Sequence, residues 1–183
     1  MNKLIIFLFS VFTIAVYGQE EISSDMFIPL KNVHRINVEV DWSSLLIDDL
    51  GQEEWIEIRQ KELRKYDARI ELEKQLKPQL ISCGIPKANS ELIKYNLKFV
   101  RYQETPISLC IAPISINHKT GKWECDYKFL YSDSKEVFAQ FQLKGRESVS
   151  HWSLQSIWEN IFEDVGEELG DLIRNKLKEV YKK

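Results

Sequence analysis

The stretch ISLCIAPISINHKTGKWECDYKFLYSDSKEVFAQFQL, Ile107 to Leu143, decides the fold. Trp123, Cys125, Tyr127, Phe129 and Tyr131 alternate with Glu124, Asp126 and Lys128, and after Ser132–Ser134 the residues Val137, Ala139, Phe141 and Leu143 alternate with Phe138, Gln140 and Gln142. Alternation at period two is the mark of strands with one buried face. Upstream, Ile107–Ile116 is a largely apolar run, so the stretch predicts three antiparallel strands in a meander. With His118-Lys-Thr-Gly121 as the first connection, Asn117 faces Lys122, Ile116 faces Trp123, Ile114 faces Cys125, Ala112 faces Tyr127 and Cys110 faces Phe129. That register is complete without a ligand, because apolar cross-strand pairs stabilise a sheet and fix its alignment.

The same register excludes chemistry at the hairpin. His118 falls at the turn tip, Cys125 points inward and Asp126 outward, so the three cannot converge on a metal. Thr-Gly-Lys lacks the glycine spacing of a phosphate loop and leads into a strand, where a phosphate loop leads into a helix. Cys110 and Cys125 would share a face but lie four positions apart, roughly 13 Å at strand rise, beyond the ~7 Å between Cα atoms that a disulfide tolerates. Both are expected to be unpaired core thiols, with Cys83 left open.

Outward from the meander, Val33–Val40 alternates Ile36, Val38 and Val40 with Arg35, Asn37 and Glu39 and predicts another strand, with His34 at its boundary. Tyr95–Tyr102 predicts a fifth, with Leu97 and Phe99 on one side. Asp49–Gln52 offers a helix start with Asp49 as cap, and the helix runs toward Lys77 before Pro78 ends it. Gln79–Ile85 is a second short helix. From Trp152 to Tyr181, Leu154, Ile157, Trp158, Ile161, Val165, Leu169, Leu172, Ile173, Leu177 and Val180 form one stripe at helical spacing. The expected fold is α+β in two layers: a mainly antiparallel sheet of about five strands, helices on one face, and a long C-terminal helix.

Residues 1–18, MNKLIIFLFSVFTIAVYG, set Lys3 before an apolar run and end in small residues, the layout of a signal peptide cut before Gln19. Leu4–Tyr17 is 14 residues, short of the roughly 20 a span needs. The remaining 19–183 reads as one domain of 24 basic and 28 acidic side chains once Lys3 is gone from the chain's 25, without the basic face nucleic acid requires. The expected location is the periplasm or outside the cell, with no membrane span and no nucleic-acid partner.

No catalytic, cofactor-binding or metal-binding residue stands out. His151 sits at a serine-rich helix entry, and Glu163, Asp164, Glu167, Glu168 and Asp171 spread around a helix without a calcium loop's spacing. One feature does point to a partner. With even-numbered residues of Ile107–Ile116 facing the helices, Ile107, Leu109 and Ile111 face away, joined by Val100, Tyr102, Leu130 and Phe138. These seven are the expected partner-binding patch, since exposed apolar patches mark interaction surfaces. The competing cover is the N-terminal arm or the first helical region.

Asn37-Val-Glu-Val-Asp41-Trp-Ser43, Gly51-Gln-Glu-Glu-Trp55, Lys119-Thr-Gly-Lys122 and Gly166-Glu-Glu-Leu-Gly170 resemble segments of a group of uncharacterised small secreted proteins of Gram-negative bacteria. The resemblance implies a two-layer α/β domain related to envelope accessory and lipoprotein domains, and it carries over no catalytic residue. The chain lacks those relatives' lipidated cysteine. The combined expectation is a non-enzymatic periplasmic or secreted protein that binds a protein or envelope component through an apolar sheet face. The alternatives are a hydrolase of glycan or peptide working through unidentified carboxylates, and a homodimer that buries the same patch.

Overall fold

The computed structural model describes residues 22–47, 92–101, 103–117, 119–148 and 154–183. The signal-like segment, the two helices expected over 49–85, Cys83, Tyr102, His118 and His151 lie outside the described residues.

Five strands form one sheet: β1 (Arg35–Val40), β3 (Lys98–Val100), β4 (Ile107–Asn117), β5 (Lys122–Tyr131) and β6 (Val137–Arg146), in the order β3-β1-β4-β5-β6. The two-residue β2 (Leu46–Ile47) pairs with β4 past the end of β1. The meander is antiparallel as expected, but β1 runs parallel to both β3 and β4. The sheet is therefore mixed, not purely antiparallel. Period-two patterning reports which face of a strand is buried, and it is the same for both strand directions.

One layer covers one face of this sheet. Its main member is α1 (Leu154–Lys182), 29 residues or about 43 Å of helix. Ile161, Val165, Leu169, Ile173, Leu177 and Val180 of the expected stripe are buried, and Leu172 packs at its edge. Beside α1 lies a 3₁₀ segment, Ser24–Leu30, capped by Ser23. Its threefold period turns Ser24, Phe27 and Leu30 inward, and Phe27 meets Phe129 edge-on with centroids 5.9 Å apart. The N-terminal arm is thus partly a core element.

The expected register holds at Asn117↔Lys122 and Ile116↔Trp123 and then slips by one. Pro113, not Ile114, faces Cys125; Ile111 faces Tyr127; Leu109 faces Phe129; and a bulge separates Pro113 from Ser115. A proline cannot donate to the ladder and sits where strands bulge. One extra residue reverses the parity of everything upstream. Ile107, Leu109 and Ile111 consequently join Tyr127, Phe129, Ile36 and Val38 in the core, each at most 3 % exposed. Cys110 moves to the opposite face.

Candidate functional site

The seven residues expected to form an open sheet face divide. Ile107, Leu109 and Ile111 are sealed beneath the helical layer and offer a partner nothing on this chain's surface. Val100, Leu130 and Phe138 are half-buried. Phe138 packs back onto Tyr131 (4.9 Å between centroids) and Phe129 (6.0 Å), because a second register shift interrupts the pairing of β5 and β6 between Phe129 and Leu130.

The other sheet face is polar and largely paired with itself. Lys144 bridges to Glu124 at 2.9 Å, Gln142 donates to Asp126 at 2.9 Å, and Asn37 donates to Glu39 at 3.0 Å. Cys110 lies among these groups, aligned with Glu39 on one side and Lys128 on the other. Burial first, then Asp41 and Glu39, raise its pKa, so the thiol stays protonated and is a weak nucleophile at neutral pH. Both cysteines are free. The expected absence of a Cys110–Cys125 bond therefore holds, but because the two point to opposite faces.

Between β5 and α1 runs a seam of polar groups. The Trp123 indole N–H donates to the Asp164 carboxylate at 2.5 Å. Burial raises the Asp164 pKa against that bond, with Glu147 adding to the rise, and burial together with Asp164 and Asp171 raises Glu168. Deeper in, Tyr127 is wholly buried, its acidity suppressed by desolvation and by the neighbouring Cys125 thiol, Asp164 and Glu168. Cys125 is pushed up to about 12, chiefly by burial. Tyr127 and Cys125 hold their protons, and the bond from Trp123 to Asp164 ties helix to sheet. Among the described residues no three His, Cys, Asp or Glu side chains are grouped to hold a metal ion.

The exposed apolar surface lies elsewhere. Arg35, Lys98, Ile107, Tyr131 and Val137 mark one end of the sheet, where β1, β3, β4 and β6 begin and β5 finishes. Among the described residues the exposed large hydrophobic side chains are Met26, Ile28, Ile93, Val137 and Tyr181, and Val137 opens β6 at this end. Met26 and Ile28 belong to the 3₁₀ segment that leads into β1, and Ile93 to a second short 3₁₀ turn, Ile93–Tyr95, that leads into β3. Tyr181, from the last turn of α1, joins the two. Its ring stacks on Tyr95 at 5.8 Å and 17°, its hydroxyl donates to the Lys31 carbonyl, and the Lys31 ammonium lies 5.5 Å from its centroid. Lys94 stands 5.1 Å from the centre of the Tyr95 ring, and Lys183 bridges to Asp25 at 2.5 Å. Sequence periodicity could not find this site, because its apolar residues sit on short 3₁₀ turns and a helix terminus brought together only by folding.

No family model matches the chain and no curated protein is similar to it in sequence. Among solved structures, a Xanthomonas campestris protein of the DUF330 family is similar at TM-score 0.37 and 13% identity, covering 65% of this chain and 68% of its own. The PelC dodecamer of Paraburkholderia phytofirmans is similar at TM-score 0.39 and 12% identity, covering 73% of this chain and 86% of its own. Identity and TM-score this low carry neither fold nor function across to this chain.

Proposed function

We propose that this chain is an exported, non-enzymatic protein of the cell envelope that works by binding, and that its binding surface is the apolar end of the sheet. The observation that carries this reading is the exposure of Met26, Ile28, Ile93, Val137 and Tyr181 on elements that lead into or begin at that end, or close against it. Apolar side chains exposed toward one end of a domain mark an interaction surface. Val100, Leu130 and Phe138 begin or flank the same end and belong to the proposed surface: Val100 aligns with Asn37, two residues into β1, and Leu130 pairs with Val137. The signal-like run Leu4–Val16 supports export. Both described thiols are held protonated, which argues against thiol chemistry. The hydrolase alternative would draw on Asp164 and Glu168, the carboxyls that burial biases toward the protonated form a general acid needs. Asp164, however, is already engaged by Trp123.

Site-specific photo-crosslinking in cells tests the reading. A photoreactive residue at Ile93 is expected to yield adducts in the envelope fraction, and one at Lys119, on the hairpin at the opposite end of the sheet, is not. Absence of adducts at Ile93, or equal yields at both positions, would overturn it.

A further inference from the structure

The apolar end is also a basic pole. Residues 24–35, 93–98, 103–107, 131–137 and 178–183 hold eight Lys or Arg against five Asp or Glu, a formal +3. The described residues outside this end hold eight Lys or Arg against eleven Asp or Glu, a formal −3. Lys31 and Lys94 lie over the Tyr181 and Tyr95 rings, exposed Lys182 follows Tyr181 in the chain, and Lys183 bridges to Asp25.

Resting on the functional reading above, we propose that the partner at this end is an anionic phospholipid surface. Tyrosine rings and long lysine side chains are the groups that settle at a bilayer interface, the rings at headgroup depth and the ammonium groups reaching to phosphate. Each lysine near an anionic leaflet adds to the attraction, which falls off within a Debye length. Ile28 and Ile93, 51 % and 57 % exposed, stand on separate 3₁₀ turns as individual protrusions. A stable protein partner needs a continuous complementary area of about 800 Å² per side, whereas a fluid headgroup layer accepts scattered protrusions among diffuse positive charge. The chain's own layout agrees. The run Leu4–Val16 ends six positions before Ile22, within about 20 Å at extended-chain rise, and Ile22 leads directly into the 3₁₀ segment that carries Met26 and Ile28. A chain still tethered by that run during export would hold this end toward the bilayer.

The test is vesicle flotation of the protein as the cell produces it, with its N-terminus read by mass spectrometry. Phosphatidylcholine vesicles with about a third phosphatidylglycerol are compared with phosphatidylcholine alone. The expected result is at least tenfold tighter binding to the anionic vesicles, lost in high salt. Ile93→Asp and Lys182→Gln, both at exposed positions, are each expected to weaken it severalfold with an unchanged melting temperature. Because every comparison uses one N-terminal form, any contribution of the apolar run cancels. Equal binding to both vesicle types, or variants that bind like wild type, would overturn the proposal. So would dimerisation through this end without vesicle binding, which would make a second copy the occupant. A protein adduct at Ile93 without vesicle binding would sink the lipid assignment and leave the binding reading standing.

Discussion

Asp164 shows how a residue that reads as surface charge becomes part of the architecture. It lies in an acidic run that helical spacing would spread over a solvated face, yet it accepts the Trp123 indole N–H and is held half out of water. Its raised pKa means that folding favours the protonated form. That contribution is complete below the ordinary carboxyl range and is lost as pH rises through the raised value. Asp164→Asn, which keeps an acceptor and removes the charge, should raise the melting temperature at pH 7.5 relative to wild type, and the gain should shrink as pH falls through the raised value and vanish below the ordinary 3.8. A gain independent of pH would contradict this account. The Trp123 ring also explains Gly145: a Cβ there would come within 2.4 Å of the indole, which Asp164 holds in place. Gly145→Ala should cost about 1–3 kcal/mol by overpacking, measurable by denaturant unfolding. The two described thiols make a third contrast. Alkylation of the native protein followed by peptide mass mapping should label half-buried Cys110 at least tenfold faster than Cys125, which has no exposed surface and a pKa of about 12.

At the scale of elements, the alternation in Trp123–Tyr131 and Val137–Leu143 located β5 and β6, and the long stripe located α1, because each pattern repeats enough times to be read locally. Strand direction was not legible, since parallel and antiparallel neighbours share one periodicity. The face of β4 was misread for a single local reason. Pro113 introduces a bulge, and the parity correct at Ile116 is inverted at Ile111, Leu109 and Ile107. A proline inside an apolar strand was the available signal. Tyr95 illustrates the other limit: it reads as the start of a strand but ends a 3₁₀ turn before β3. Phe162, buried on α1 outside the expected stripe, packs edge-on against Trp42 at 6.0 Å. No helical repeat could announce that contact, because its partner lies 120 positions away. The clasp made by the last turn of α1 should be separable from the core. Tyr181→Ala removes the Tyr95 stack and the bond to the Lys31 carbonyl, and should destabilise by about 1–2 kcal/mol, read as faster amide exchange over residues 24–33 than over β5.

For the whole molecule, the consequence is a relocation. Ile107, Leu109 and Ile111, assigned to an open sheet face by one-residue parity, are core, and among the described residues the end where β1, β3, β4 and β6 begin carries a formal +3. The polar sheet face, with Glu124 paired to Lys144 and Asp126 to Gln142, is built to face water or polar neighbours. The measurement that tests this arrangement most directly is the thermal melting of Leu109→Lys beside Ile93→Lys. Leu109 is fully buried, so a lysine there must place an unpaired charge in the core at a cost of several kcal/mol, enough to lower the melting temperature by roughly 10 °C or more in a domain of this size. Ile93→Lys should melt with wild type. A Leu109→Lys protein as stable as wild type would mean that the sheet face is open after all, and the placement of both the core and the binding surface would fall with it.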